Sequence, residues 1–191
     1  MFRDLVKRNR SYRRFYENHS LQYQTLKDLV GLAMLTASGS NRQPLKYILS
    51  CDSQKNELIF PHLAWAGYLK DWAGPSPGER PSAYIIILHD KNIKHVLGCD
   101  HGIAAQTILL GAAEKGLGGC MIGSVDKKKL AESLKLSTEA YEILLVIALG
   151  KPKEKVVIEP VGPAGNIKYW RDKQGVHHVP KRSLDEIILS I

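Results

Sequence analysis

The sequence predicts one α+β domain in which helices cover a mixed sheet. Two continuous apolar segments, residues 83–89 and 141–149, have the length and composition of buried strands. Residues 25–37 and 101–115 carry apolar side chains at helical spacing. With 191 residues, 44% of them hydrophobic and 24% charged, the chain is long enough to bury one core. We therefore expect a single domain over residues 1–191.

The elements before the first buried strand are two helices and a pair of strands. Residues 1–9 predict a short helix with one apolar face, and residues 25–37 predict a longer one that ends in a polar segment. Residues 46–51 and 57–60 are typical of strands paired around a turn.

Residues 61–81 predict an irregular loop or lid that begins with a short helix over residues 62–69. The segment holds Trp65, Tyr68 and Trp72 together with four prolines and three glycines. Long structureless segments are uncommon inside domains and are often functional. These aromatic side chains either cover a ligand or a neighbouring surface, or pack the loop.

The helix at residues 101–115 is expected to be buried on most sides, because it has little polar face. Gly116 and Gly118 end it, and Asp126 begins a helix that reaches residue 134.

Residues 166–191 are expected to form a hairpin and a tail. Strands at residues 168–172 and 176–179 flank a turn that contains Gly175. Ser183 then begins either a last apolar helix or a strand-like tail.

Charge and cysteine content limit the class of protein. The formal net charge is +8, with six basic and one acidic residue in residues 1–14 and eight basic and three acidic in residues 151–182. This excess favours a phosphate-bearing ligand, a nucleic acid, a membrane surface or simply a solvated surface. No apolar run approaches the roughly 20 residues of a membrane helix, and the N-terminus does not have the pattern of a signal peptide. Cys51, Cys99 and Cys120 fit no metal or disulfide pattern, which favours a reducing, cytoplasmic compartment.

Two basic segments carry the groups that bind an oxyanion. Arg10, Ser11 and Arg13 combine guanidinium forks with a hydroxyl donor directly after the first helix. Lys181 and Arg182 form a second such segment before the last helix. A solvated surface explains either segment equally well.

A polar loop follows the helix at residues 25–37. Ser38 and Gly39 precede Asn41 and Gln43, whose amides donate and accept and so can recognise the edge of a heteroaromatic ring. The alternative is a capping turn.

Residues 116–124 are rich in glycine but do not form a dinucleotide fingerprint. Met121 occupies the place of the last glycine in G-x-G-x-x-G, and a helix rather than a strand comes before the segment. The segment is either a loop whose main-chain N–H groups lie against a flat ligand or a plain connection between a helix and a strand.

Side-chain catalysts are not evident in the sequence. It contains no G-x-S-x-G, Walker or H-E-x-x-H motif, and His177 and His178 would point to opposite faces of a strand. We therefore expect no metal site and no catalytic side chain, with the chemistry supplied by a cofactor.

Taken in order, these segments resemble the FMN-dependent nitroreductase family over nearly the whole chain. The motifs that carry the resemblance are Arg10-Ser11-x-Arg13-x-Phe15, Ala37-Ser38-x-x-Asn41-x-Gln43-Pro44, the alanine-rich helix from Gly102 to Gly116-Leu117-Gly118, Cys120-Met121-Ile122-Gly123, Ala148-Leu149-Gly150-Lys151-Pro152 and Lys181-Arg182. The resemblance implies a nitroreductase-like, mostly antiparallel sheet and a homodimer with two FMN molecules at the interface.

The resemblance also implies roles for individual residues. Arg10, Ser11 and one or both of Lys181 and Arg182 would hold the FMN phosphate, and Arg13 would lie near the pyrimidine edge. Groups supplied by the partner subunit would be Ser38, Gly39, Asn41 and Gln43. Main-chain N–H groups near flavin N5 would come from Ile122 and Gly123.

The activity implied is that of a cytoplasmic, dimeric oxidoreductase. NADH or NADPH would reduce FMN, and a small acceptor such as a nitroaromatic or a quinone would be reduced in a ping-pong cycle, with neither nucleic acid nor membrane as a partner. Two departures are Asn9, where many members have an arginine that Arg8 would have to replace, and a loop at residues 61–81 unlike the longer insertion of larger members. The alternatives are a flavin-binding or redox-sensing protein without turnover and a basic nucleic-acid-binding protein.

Overall fold

A computed structural model describes residues 1–94 and 98–190, and its centre is a sheet of four antiparallel strands. These strands are β1 (Leu45–Ser50), β2 (Ala83–Asp90), β3 (Gly118–Ile122) and β4 (Tyr141–Gly150). Their order across the sheet is β1-β2-β4-β3. The two segments predicted as buried strands are therefore the central ones, and the α+β class is confirmed.

Helices lie on both faces of this sheet. In the described part of the chain they are α1 (Phe2–Arg8), α2 (Tyr23–Met34), α3 (Ser53–Ile59), α4 (Asp100–Glu114), α5 (Lys127–Ser133) and α6 (Leu184–Ile187). Four of them, α1, α2, α4 and α5, were predicted to within a few residues at each end.

The two faces of the sheet belong to two hydrophobic cores. Successive side chains of a strand point to opposite faces, so the neighbours Ile85 and Ile86 enter different cores. Ile85 packs with Leu29 of α2 and Ile108 of α4, whereas Ile86 packs with Leu130 of α5. This double burial explains why β2 is apolar without alternation.

The strand predicted at residues 57–60 is wrong, because residues 53–59 form α3. Asp52 caps this helix by accepting a hydrogen bond from Lys55 N at 3.0 Å. The apolar residues that resembled a strand instead place Ile59 in the core. β1 pairs with β2, so that Leu45 lies opposite His89.

The helix predicted at residues 62–69 is also wrong. A single 3₁₀ turn, Phe60–His62, comes before an isolated bridge between Leu63 and Val125. The loop continues with Trp65 buried in the core. Gly74, at φ +121°, lies so close to the Trp65 ring that a Cβ there would come within 2.6 Å of it. Packing on the core therefore shapes this loop.

A second, smaller sheet replaces the single mixed sheet that we expected. It consists of β5 (Val156–Pro160), β6 (Trp170–Arg171) and β7 (His177–Lys181) in the order β5-β7-β6. β6 and β7 form the predicted hairpin, while β5 runs parallel to β7 and was not predicted.

The C-terminal tail begins with α6. Ser183 Oγ accepts a hydrogen bond from Glu186 N, and the Glu186 carboxylate accepts one from Ser183 N, which makes a capping box. The tail thus begins as a helix; Ile191, its last residue, lies outside the described residues. No helix within residues 1–94 and 98–190 is long and apolar enough to cross a membrane.

A histidine between two carboxylates joins the elements of the smaller sheet. His178 Nδ1 lies 2.9 Å from Glu159 Oε2, and His178 Nε2 lies 3.2 Å from Asp172 Oδ2. Because ionised carboxylates only accept hydrogen bonds, both ring nitrogens must donate, and the imidazole is charged. The bonds to Glu159 and Asp172 raise the pKa of His178 above its ordinary value.

We expect the smaller sheet to lose stability as the pH rises through this raised pKa. A folded-state pKa above that of the unfolded chain gives a stabilisation that is complete below the unfolded value and disappears above the folded one. Urea unfolding measured from about pH 6 to about pH 9 should show this loss in the wild type and not in His178→Gln. The exposed His19 provides the control: His19→Gln should retain the loss, and a wild-type-like profile in His178→Gln would contradict the prediction.

Candidate functional site

The segment after α1 lies along the free edge of β3. Ser11 forms a parallel bridge with Gly119, and Tyr12 N donates to Gly119 O at 2.9 Å. The pairing is parallel, so Arg13 lies about 7 Å further along the edge than Ser11, towards Ile122. Two of the residues proposed for the phosphate and the pyrimidine edge are thus set in line by the backbone.

The adjacent glycines allow this close approach. A Cβ on Gly118 would collide with the Tyr12 ring, and one on Gly119 would collide with Ala148 O. This part of the glycine-rich segment is therefore a strand packed on its neighbours rather than a loop. Gly123 differs, because it is exposed at the end of β3 with nothing within 4 Å of a Cβ placed there.

Arg10 is anchored through one nitrogen and has an unsatisfied donor at another. Its Nη2 donates to Val6 O of α1 at 2.8 Å. Its Nε is buried and has no hydrogen-bond acceptor among the described residues. Because a buried N–H without an acceptor costs about 1–3 kcal/mol, this guanidinium is suited to an added oxyanion.

A buried carboxylate holds the chain at Arg13 and Arg14. The Glu154 side chain is 0% exposed and accepts hydrogen bonds from Arg13 N at 2.5 Å, Arg14 N at 3.3 Å and Arg171 Nη2 at 2.9 Å. The sequence analysis missed Glu154, because nothing in the local pattern connects it to residues more than a hundred positions away.

The Arg14 side chain ties the same segment to the end of the loop at residues 61–81. Its guanidinium pairs with Glu79 through two hydrogen bonds, of 2.7 and 2.5 Å, and Lys153 Nζ lies 3.0 Å from the same carboxylate. The Arg14 hydrogen bonds, with the help of Lys153, lower the pKa of Glu79 to about 2. This network fixes the backbone of the basic segment from the side opposite Glu154.

The Arg13 side chain packs against the smaller sheet. Its Nη1 lies 3.4 Å from Ser11 O and 3.3 Å from His177 Nε2, and its Cζ lies 4.9 Å from the centre of the Tyr169 ring. The Tyr169 ring in turn contacts Tyr68, at 4.8 Å between centroids. Of the three loop aromatics, Trp65 is thus in the core, Tyr68 reaches this cluster, and Trp72 lies under Arg171.

The polar loop at residues 38–43 is built on a buried acid. Ser38 Oγ donates to Asp100 Oδ2 at 2.7 Å, and Gly39 N donates to Oδ1 at 3.2 Å. Ser38 Oγ also accepts from Gln43 N at 2.9 Å. Asn41 and Gln43, both exposed, have φ of +51°. Left-handed conformations in residues other than glycine are strained, and such strain is common at ligand-binding sites.

This loop and the basic segment lie at opposite edges of the sheet. The loop leads into β1, whereas Ser11 pairs with β3. Three strand spacings separate these edges, a distance of about 14 Å. One chain therefore does not bring the two groups together.

Lys181 and Arg182 lie away from both groups. They follow β7, which carries Lys181 about 13 Å beyond His177. Lys181 O accepts from Val161 N at 3.0 Å, and Arg182 Nη1 lies 3.6 Å from Glu186 Oε1. Their predicted contact with the phosphate of Arg10 and Ser11 has no counterpart among these contacts.

Comparison with known proteins relates this geometry to one family. The model of the nitroreductase family matches residues 6–151. No curated protein matches the chain.

Solved structures with the same fold include FMN complexes. A protein from Desulfovibrio desulfuricans assigned as a nitroreductase, in complex with FMN, has a TM-score of 0.71 and 18% identity over 98% of this chain and 95% of its own. A nitroreductase family protein from Streptococcus pneumoniae has a TM-score of 0.67 and 18% identity over 86% and 96%. An FMN-dependent nitroreductase from Clostridium difficile has a TM-score of 0.61 and 24% identity over 79% and 87%. At these identities the likeness shows the fold.

Proposed function

The chain belongs to the nitroreductase family, and we propose that it is an FMN-dependent oxidoreductase of the cytoplasm. It would transfer hydride or electrons from NADH or NADPH to a small acceptor such as a nitroaromatic or a quinone. The observation that carries this proposal is the edge of β3, where Arg10, Ser11 and Arg13 lie in line with the exposed Gly123.

The spacing along this edge fits an elongated ligand with a phosphate at one end. From Gly119, opposite Ser11, to Gly123 the strand advances about 13 Å. The unsatisfied Nε of Arg10 fits an oxyanion at the first end. The exposed main chain at Gly123 fits a flat ring at the other, because no side chain stands in the way.

Each residue then has a physical task. FMN supplies a ring that accepts and returns hydride, so the protein needs no acid or nucleophile of its own. Arg10 and Ser11 bind the phosphate by charge-assisted hydrogen bonds. Arg13 places a positive charge at the pyrimidine edge and stabilises the negative charge that reduction brings there. The Gly123 N–H orients the reacting nitrogen.

A second copy of the chain would complete each site. The distance of about 14 Å between sheet edges keeps Ser38, Gly39, Asn41 and Gln43 from the Arg10 of their own chain. An apolar groove of about 500 Å³ lies beside this loop. The exposed side chains of Met34 and Leu35 adjoin it, as expected for a surface that a partner covers. We therefore place this loop across the interface of a homodimer.

Spectroscopy of the purified protein tests the proposal. We expect a yellow protein, or a colourless one that becomes yellow with FMN, and steady oxidation of NADH or NADPH when a quinone is added. FMN binding without turnover would favour a redox sensor or carrier over an enzyme. Failure to bind FMN under any condition would contradict the proposal.

A further inference from the structure

We propose that His177 is a positioning residue that holds the Arg13 guanidinium at the pyrimidine edge of the flavin. The inference deepens the proposed function and rests on it. His177 does not touch the flavin in this proposal; it acts by fixing the orientation of a residue that does.

The contacts of Arg13 are directional. Its main-chain N is bound by the buried Glu154, and its Nη1 points between Ser11 O and His177 Nε2. Both side-chain hydrogen bonds given above use Nη1, which leaves the Nε and Nη2 edge for another acceptor. Without His177, Ser11 O at 3.4 Å would be the one remaining hydrogen-bond acceptor of these two.

The hydrogen bond determines the tautomer of His177. An arginine nitrogen donates and never accepts, so His177 Nε2 must carry a lone pair. The ring proton of neutral His177 therefore lies on Nδ1, which is buried and has no partner within residues 1–94 and 98–190. The protein thus tolerates an unsatisfied N–H in a residue that is 1% exposed. Such a group calls for an explanation, and an acceptor for Arg13 provides one.

The surroundings of His177 keep it neutral. Burial lowers its pKa to about 4, with further contributions from the charges of Arg13, Arg171 and His178. The carboxylate of Glu154 lies in the same cluster, but it is already bound to Arg171 and to the main chain of Arg13. His177 therefore remains an acceptor at neutral pH, and it would repel Arg13 if it became protonated.

An aromatic ring completes the clamp. Tyr169 lies 4.9 Å from Arg13 Cζ and 5.2 Å from the His177 ring, so it covers both partners. Tyr68, from the loop at residues 61–81, backs Tyr169. The guanidinium is thus fixed on one edge and against one face before any ligand arrives, which reduces the cost of ordering it on binding.

The test compares two substitutions of His177 in the full-length protein. His177→Gln retains an oxygen that can accept from Arg13, whereas His177→Leu removes the acceptor. For each variant we would measure the folded fraction, the affinity for oxidised FMN and the two-electron midpoint potential of the bound flavin. His178→Gln, which changes the next residue of β7, is the matched control.

We expect His177→Leu to bind oxidised FMN nearly as the wild type does, because Arg10 and Ser11 are unchanged. Its preference for reduced over oxidised FMN should fall about tenfold, which makes the midpoint potential about 30 mV more negative. His177→Gln and His178→Gln should keep the wild-type potential. A wild-type potential in folded His177→Leu, or a loss in His177→Gln equal to that in His177→Leu, would overturn the proposal.

Nitrogen NMR of the wild-type protein without FMN gives a second readout, which decides the matter if His177→Leu does not fold. We expect a neutral His177 with its proton on Nδ1 at about pH 6. A charged ring, or a proton on Nε2, would overturn the proposal. If the wild type fails to bind FMN, the proposed function fails and this inference with it, an outcome distinct from normal FMN binding with an unaffected potential in His177→Leu.

Discussion

Replacing Arg10 with alanine is expected to reduce FMN affinity roughly 10- to 100-fold, because a hydrogen bond to a charged group contributes about 1.5–3 kcal/mol. Folding should suffer much less. The Arg10 side chain contributes one hydrogen bond to Val6 O and has a buried Nε without an acceptor in the described chain, so its removal also relieves a cost. Flavin content after purification and FMN titration of the apoprotein measure the first effect, and thermal unfolding of the apoprotein measures the second.

Arg3→Ala is the matched control, because it removes the same charge from an exposed position of α1. If general attraction by the net charge of +8 held the flavin, both variants would lose similar affinity, and added salt would abolish the difference from wild type. Equal flavin content in Arg10→Ala and wild type would refute the phosphate assignment.

Mixing the Arg10 variant with a second variant tests whether each site is shared. Asn41→Gly removes the amide and suits the φ of +51° at this position. In a heterodimer of Arg10→Ala and Asn41→Gly, one of the two sites has both changes and the other has neither. Mixing should therefore restore FMN binding that both homodimers lack. If a single chain supplied both residues, every site would carry one change and mixing would restore nothing.

The elements that were predicted from sequence are those whose signal is local and long. The buried β2 and β4 and the helices α2 and α4 have apolar patterns that extend over several turns or strand periods. α3 was misread because Leu58, Ile59 and Phe60 form a short apolar run, which fits a strand or one face of a helix equally well. The cap from Asp52 decides between them.

The candidate site divides in the same way. Arg10, Ser11 and Arg13 were found because three suitable groups lie together in the chain, and their backbone proves to follow β3. Glu154 and His177 were not found, because they contact Arg13 across 141 and 164 positions of sequence. Gly118 and Gly119 were open to two interpretations, and close packing explains them. The roles of these residues towards FMN stay predictions.

Glu154 is expected to be the residue whose loss most destabilises the site. In Glu154→Ala, the Arg171 guanidinium and the main-chain N–H groups of Arg13 and Arg14 lose a shared acceptor that is 0% exposed. Removing one member of a buried ion pair typically costs about 3–5 kcal/mol, a large part of the about 5–15 kcal/mol that stabilises a domain. Urea unfolding of the apoprotein should show this loss directly.

Glu154→Gln separates the charge from the hydrogen bonds. Its amide oxygen still accepts from Arg13 N, but its NH₂ group faces other donors, so we expect a loss in stability between those of wild type and Glu154→Ala. Glu139→Ala, at an exposed position, is the control and should unfold like the wild type. If Glu154→Ala were as stable as this control, the buried carboxylate would not be what holds Arg13 and Arg14 against the smaller sheet. The segment would then have to be fixed by the pairing of Ser11 with Gly119 and of Arg14 with Glu79 alone.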